Sequence, residues 1–324
     1  MRIAVIGMGY VGCVTAACLS RDGHDVIGID VDRNKVEAIN RGVSPIFEPG
    51  LQGLLQSQVE SSRLSATTDL ESAFAAGVNV ALVAVGTPSG DDGSINDRAV
   101  RRVVEQIGRA VANTDQSLVV VIRSTLLPGV LEDVLTPLLT DAAGGQANDR
   151  IKLCNNPEFL RETTAIADYD HPPYVLIGAN DEHAAEVTQK LYSNLTCEKI
   201  VTSTRVAAMI KYSCNAFHAL KVGFANEIGS LAKSFGADGQ EVMDIVCKDR
   251  QLNISTAYMR PGFAFGGSCL PKDVRALSRY AQQRGISVNV LQSILPSNQS
   301  HLERAVQLVR ATGKRKIGLV GLSF

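Results

Sequence analysis

Residues 2–30 read RIAVIGMGYVGCVTAACLSRDGHDVIGID, and the fold is decided in this stretch. The apolar, β-branched run at 2–6 predicts a short strand leading straight into Gly7-Met8-Gly9-Tyr10-Val11-Gly12. Helical residues follow through Ser20, and a second apolar run, Val26 to Ile29, ends on Asp30. This is G-x-G-x-x-G in its required setting, with a strand before, a helix after and an acidic residue about 20 positions on. Gly7 permits the tight turn, Gly9 lets a pyrophosphate approach the backbone, and Gly12 lets the helix sit close to the strand. Tyr10 and Val11 open the helix, whose N-terminus offers free N–H groups and a partial positive charge to phosphates. A carboxylate at Asp30 accepts hydrogen bonds from ribose hydroxyls and repels a 2′-phosphate, so NAD is expected over NADP. Arg33 and Lys35 lie nearby as candidate phosphate ligands.

Working outward, VALVAV at 80–85 reaches Gly86-Thr87-Pro88, and LVVVI at 118–122 reaches Arg123-Ser124-Thr125. Fully apolar runs are what strands covered on both faces of a parallel sheet require. Ligands of doubly wound sheets lie beyond the carboxyl ends of the strands, which puts Thr87 and Thr125 toward the cofactor; the alternative is that both hydroxyls cap a following helix. Residues 151–154 predict another strand, delivering Asn155 to Glu162.

The 324 residues amount to about two domains. Lys plus Arg number 32 against 33 Asp plus Glu, which gives no electrostatic reason to expect nucleic acid or an anionic membrane. Aromatics are only 5% and Trp is absent, so stacking platforms for single-stranded bases are not expected. No run approaches the ~20 apolar residues of a membrane span. The apolar start is interrupted by Gly7, Gly9 and Gly12 too early for a secretory leader, so a cytoplasmic location is expected. The seven cysteines (13, 18, 154, 197, 214, 247, 269) form no CxxC pair and keep no zinc spacing with the five histidines, so reduced thiols and no metal are expected.

From Thr204 to about Phe235 the periodicity is helical and uninterrupted by proline. Lys211, Asn215, His218 and Asn226 fall near one stripe of that helix, together with Val222. A polar row on a helix otherwise carrying Val206, Met209, Phe217, Leu220 and Phe224 is either solvated or lines a cleft; the company of Asn and His favours the cleft. Further on, glycines crowd the approach to Cys269, and Pro271 suits the first turn of a following helix. A thiol at a helix N-terminus beside Lys272 loses its proton readily. The remaining cysteines read as small buried residues, with Cys214 a neighbour of the stripe.

Taken together, GMGYVG at 7–12, VGTP at 85–88, RST-LPG at 123–129, NPEFLRE at 156–162, KYSCNAFHALKVGFANEIG at 211–229 and GGSCLPKD at 266–273 resemble the UDP-glucose/GDP-mannose dehydrogenase family, from Met1 to Phe324. TAIADYD at 164–170 and YMRPGFAFGGSCLPKDVRAL at 258–277 are similar to its GDP-mannose members, although Ala257 stands where those have a tyrosine. The resemblance implies oxidation of C6 of a nucleotide sugar from alcohol to acid with two NAD, with UDP-glucose as the alternative substrate. It implies Cys269 as the thiolate that forms a thioester, Lys211 and Asn215 as oxyanion stabilisers, and Asp273 as a group ordering water or lysine. Glu162, or Glu158 on the same segment, is implied as acid/base for hydrolysis, with Thr125 positioning water. His218, Asn226, Tyr258, Arg260 and Gly262 are implied sugar-nucleotide contacts, Arg260 across a dimer interface, and Lys272 a further cofactor contact.

The expected architecture is α/β: a Rossmann-type NAD-binding domain over 1–200, then a central helical domain over 201–300 built on the long helix. Residues 301–324 are expected as a linker helix and the first strand (316–322) of a second α/β domain that family members carry, as in a truncated chain. Rivals are a two-electron hydroxyacid dehydrogenase, which needs no thiol, and an NAD-binding dimerisation module without turnover.

Overall fold

The computed structural model describes residues 1–90, 92–112, 117–144, 150–259, 263–267, 270–318 and 320. The chain divides into two compact units, Met1–Ser213 and Cys214–Phe324.

The first unit alternates strands and helices: β1 (Arg2–Ile6), α1 (Tyr10–Arg21), β2 (Asp25–Ile29), α2 (Arg33–Asn40), α3 (Leu51–Glu60), β3 (Leu64–Thr67), α4 (Leu70–Ala75) and β4 (Val80–Val83). It continues with α5 (Arg98–Val111), β5 (Leu118–Ile122), a π-helical turn (Leu131–Leu135), α6 (Thr136–Ala142), β6 (Ile151–Asn155), α7 (Ala165–Asp170), β7 (Tyr174–Gly178), α8 (Glu182–Leu191) and β8 (Glu198–Thr202). These strands form one sheet in the order β3-β2-β1-β4-β5-β6-β7-β8. Every neighbouring pair is parallel except β6 and β7, which meet antiparallel at Asn155 and Gly178. The order reverses between β1 and β4, and a doubly wound sheet opens its ligand crevice at such a switch point.

Two apolar clusters cover the two faces. Ile3, Val5, Leu82 and Val121 enter one; Ala4, Ile6, Val83 and Ile122 enter the other. That is the period of two of a strand expressed as burial on both sides, and it explains why residues 3–6, 80–83 and 118–122 carry no polar side chain.

The helix α9 (Thr204–Ser234) leaves the first unit and continues into the second, joined there by α10 (Gly239–Val246), α11 (Leu270–Gln283) and α12 (Asn289–Ala311). In the second unit Leu231, Ala281, Val288 and Leu291 form a small core with Phe224 and Leu277. The Glu227 carboxylate accepts the N–H groups of Val290 (2.7 Å) and Leu291 (3.0 Å), satisfying donors that the start of α12 leaves unpaired. Pro271 falls in the first turn of α11, as expected. Of the strand expected at 316–322, Lys316, Ile317, Gly318 and Val320 are described and none is in a strand; no described backbone pairs with them. Leu319 and residues 321–324 lie outside the described residues. No helix among the described residues is long and apolar enough to cross a membrane.

Candidate functional site

The turn between β1 and α1 is where the glycine pattern becomes geometry. Gly7 holds φ +95° and donates its N–H to the Ile29 carbonyl at 2.8 Å. A Cβ on Gly12 would lie 1.9 Å from the Gly7 carbonyl oxygen, so a side chain there would push α1 off the turn. A Cβ on Gly9 would meet nothing within 4 Å, so the side from which a pyrophosphate approaches is open. No side chain caps α1 at Gly9, which leaves the helix N-terminus to a ligand. These residues fit a dinucleotide such as NAD.

Asp30 follows β2, and its carboxylate serves the protein first. Oδ2 accepts the Met8 N–H at 2.8 Å and Oδ1 the Asp32 N–H at 2.9 Å. Lys35 Nζ stands 3.6 Å from Oδ2, engaged with this carboxylate. A ribose would therefore share an acceptor that already ties the end of β2 to the glycine turn. Thr87 lies half-buried after β4 and caps no helix: the N-cap of α5 is Asp97. Thr125 likewise caps nothing, since the next helical turn starts from Val130. The capping alternative is corrected for both.

Thr125 instead lines a small pocket of about 20 Å³, together with Arg123, Glu132, Asn155, Thr204 and Lys211. Glu132 Oε2, Asn155 Oδ1 and Arg123 Nε are buried without a hydrogen-bond partner among the described residues, and the cavity has the volume of one water molecule. Arg123 is buried and donates through Nη1 to Asn156 Oδ1 (2.7 Å) and the Tyr192 hydroxyl (3.1 Å), joining the ends of β5 and β6. Neither Arg123 nor Asn156 was singled out from sequence for a role; the rule that flags carboxyl ends of strands covers both.

Lys211 is buried near the start of α9, and Nζ donates to the Glu158 carbonyl (2.6 Å) and to Glu158 Oε1 (2.9 Å). The ammonium also lies 5.3 Å from the centroid of the Phe159 ring. Glu158 Oε2 accepts the Leu160 N–H at 2.7 Å. Both oxygens of Glu158 are thus committed, one to the lysine and one to its own loop. Glu162, four residues on, is exposed and has no ion-pair or hydrogen-bond partner among the described residues. The two glutamates that sequence left as alternatives are separated by this difference.

In the second unit Asn215, His218 and Asn226 are exposed, as are Phe217, Leu220 and Val222 beside them. Among the described residues of this unit no cleft encloses these three side chains. Tyr258 is 75% exposed at φ +61°, and Lys272 Nζ pairs with Asp273 Oδ1 at 3.3 Å on the surface of α11. Arg260, Gly262 and Cys269 lie outside the described residues. Burial pushes the thiols of Cys13, Cys18 and Cys154 up to about 12, which leaves them unreactive at neutral pH.

Comparison with known proteins bears on both units. The pattern described as "UDP-glucose/GDP-mannose dehydrogenase family, NAD binding domain" matches residues 1–196, and that family's "central domain" matches residues 205–300. The chain is 48% identical over 324 residues to a GDP-mannose 6-dehydrogenase of Pseudomonas aeruginosa, covering 100% of this chain and 74% of that protein. A UDP-glucose 6-dehydrogenase of Haloferax volcanii is 36% identical over 333 residues, covering 100% and 76%. The crystal structure of a ternary complex of GDP-mannose dehydrogenase from Pseudomonas aeruginosa matches with a TM-score of 0.97 at 48% identity, over 100% of this chain and 74% of that one. For a UDP-glucose dehydrogenase from Pyrobaculum islandicum the TM-score is 0.75 at 37% identity, over 96% and 71%.

Proposed function

The chain belongs to the UDP-glucose/GDP-mannose dehydrogenase family, and from that premise we propose that it oxidises GDP-mannose at C6 to GDP-mannuronate through a thioester on Cys269. The observation that supports this substrate over UDP-glucose is the 48% identity to GDP-mannose 6-dehydrogenases against 36% to UDP-glucose 6-dehydrogenases, each over the whole chain. When bound at the β1–α1 turn, NAD takes up one hydride in each of the two oxidations.

The residues divide the remaining work. Lys211, held by Glu158, presents a fixed cation for the alkoxide at C6, with Asn215 one helical turn on along α9 as a second donor. The Cys269 thiolate adds to the C6 aldehyde; loss of hydride from the thiohemiacetal leaves a thioester. Glu162, uncommitted in its own loop, takes a proton from water. That water attacks the thioester, the carbon–sulfur bond breaks, and thiolate and sugar carboxylate are left. Thr125 positions the water, and Asp273 orders the lysine or the water. Gly7, Gly9, Tyr10, Val11, Gly12, Asp30, Lys35, Thr87 and Lys272 are assigned to the cofactor. His218, Asn226, Tyr258, Arg260 and Gly262 are assigned to the sugar nucleotide. A second copy of this chain covers the apolar residues exposed on α9, among them Phe217 (39%) and Leu220 (51%), so the working form is a homodimer or higher oligomer. A cytoplasmic location agrees with the unpaired thiols of the described cysteines, of which Cys13, Cys18 and Cys154 are buried.

Counting NADH formed per GDP-mannose tests the reading. We expect two with the unaltered protein and a lower yield with UDP-glucose. With Cys269→Ser net acid formation is expected to fall by about a thousandfold or more while NAD binding survives, because a neutral hydroxyl is a poor nucleophile. One NADH per sugar, or full turnover by Cys269→Ser, overturns covalent four-electron chemistry.

A further inference from the structure

Glu48 precedes α3 in Phe47-Glu48-Pro49-Gly50, a stretch without a sequence signal for function, yet it is 5% exposed and fully used. Its Oε2 accepts the Tyr10 hydroxyl and the Thr163 N–H (2.8 Å), and its Oε1 accepts the Ala165 N–H (2.9 Å). The Thr163 N–H also lies 2.9 Å from the Tyr10 hydroxyl oxygen, which closes a ring of bonds between three segments. A buried carboxylate has to be compensated, and here hydrogen-bond donors do it, two of them backbone groups of the loop that carries Glu158 and Glu162. The third donor, Tyr10, is the first residue of α1, directly after Gly9.

Two further observations point the same way. Thr163, the residue after Glu162, holds φ +71°, a left-handed conformation that a threonine keeps only when its surroundings impose it. Leu160 and Ile166, on either side of this point, pack against the same core cluster as Tyr10 and Ile46. Burial, and after it the bond to Glu48, pushes the Tyr10 phenol up to about 12, so it remains a donor at any working pH.

We propose that Glu48 is a positioning residue: it fixes the strained turn at Thr163, and so sets Glu162 in its place relative to the cofactor turn through Tyr10. The inference extends the reading of Glu162 as acid/base and depends on it. Glu48 touches no reacting atom, so its effect is confined to the step that Glu162 serves. In Glu48→Gln the shape is kept, but an amide nitrogen replaces one acceptor and faces a donor.

The test is stopped-flow and steady-state kinetics on Glu48→Gln, Glu162→Gln and the double variant. For Glu48→Gln, kcat is expected to fall about tenfold to a hundredfold, the cost of a misplaced catalytic group. KM for NAD should stay within about twofold, with a rapid NADH burst followed by slow turnover as thioester hydrolysis becomes limiting. The double variant should be no slower than Glu162→Gln within about twofold, because a residue acting through another adds nothing once that one is gone. Tyr10→Phe, which leaves the carboxylate and removes one donor, should show a smaller loss of the same kind and serves if Glu48→Gln does not fold. Loss of thermal stability with kcat unchanged would reduce Glu48 to a loop cap and overturn the proposal, as would full additivity in the double variant. If Glu162→Gln itself leaves hydrolysis unaltered, the acid/base reading fails, and this inference with it. If Glu162→Gln blocks hydrolysis while Glu48→Gln does not slow it, the positioning role alone fails.

Discussion

The first unit closes a large apolar core on both faces of its sheet, and the second buries only a small one. Between Met1 and Ser213 every strand from β4 to β5 is sealed on both faces; Leu82, Val83, Val120 and Val121 are completely inaccessible. Among the described residues of 214–324 the buried apolar set is Leu231, Ala232, Ala281, Val288 and Leu291, while Leu220, Val222, Ile245, Leu252 and Leu308 stand more than half exposed. A parallel sheet with helices on both faces closes its own core. Helices joined by long connections leave stripes that only another surface covers. The cofactor turn therefore sits on a platform that is complete in itself, whereas two of the assigned sugar contacts, His218 and Asn226, lie on the part of α9 that belongs to the unit with the smaller buried core.

Core truncation tests that contrast with the largest effect. Leu82→Ala, at a fully buried β4 position, should cost about 2–5 kcal/mol in denaturant unfolding. Leu308→Ala, 67% exposed on α12, should cost under about 0.5 kcal/mol. If the second substitution costs as much as the first in the monomeric protein, Leu308 is buried within its own unit and the contrast breaks.

If the first unit is the self-sufficient cofactor platform, Asp30→Ala should act on NAD binding rather than on the chain as a whole. A charge-assisted hydrogen bond to ribose is worth about 1.5–3 kcal/mol, so calorimetry should show NAD binding weakened by about tenfold to a hundredfold. Discrimination against NADP should relax at the same time. Because Asp30 also accepts the Met8 and Asp32 N–H groups, part of the loss will come from a loosened turn. Weakened NAD binding with selectivity intact would assign the carboxylate to the turn alone.

The sheet was legible because burial on both faces leaves a direct trace in composition. The runs at 2–6 and 118–122 coincide with β1 and β5, and the uninterrupted helix from Thr204 coincides with α9 to within a residue. The β6–β7 reversal was not legible, because direction leaves no mark on an apolar pentapeptide. Site residues show the same division. Gly7 and Gly12 are readable because only glycine fits their φ or their contacts. Glu48 was not, since a glutamate beside Pro49-Gly50 looks the same whether it caps a loop in solvent or is buried among three donors. The sequence of α9 showed an apolar set beside its polar row, and Val206, Met209 and Leu220 of that set are exposed; periodicity reports an apolar stripe but not what covers it.

The smallest expected effect concerns how the loop of Glu158 and Glu162 is held where the apolar core does not reach. Asp168 accepts the Arg161 N–H (2.9 Å), its guanidinium (2.6 Å) and the Thr164 hydroxyl (3.1 Å). The Arg161 guanidinium, more than any other partner, holds the Asp168 carboxyl below the usual range. A carboxyl lowered in the folded state binds protons more readily in the unfolded chain, so stability rises with pH through this window. The contribution is complete above the ordinary carboxylate value of about 4 and is lost as pH falls through the lowered folded value. Arg161 is 75% exposed, so solvent screening keeps the amount small. Urea midpoints of the unaltered protein and of Asp168→Asn should differ at pH 7 and converge toward pH 3, with the difference at pH 7 shrinking in high salt. A difference that persists undiminished at pH 3 would show that the loop is held by neutral hydrogen bonds, and that in the first unit charge adds nothing to what burial already supplies.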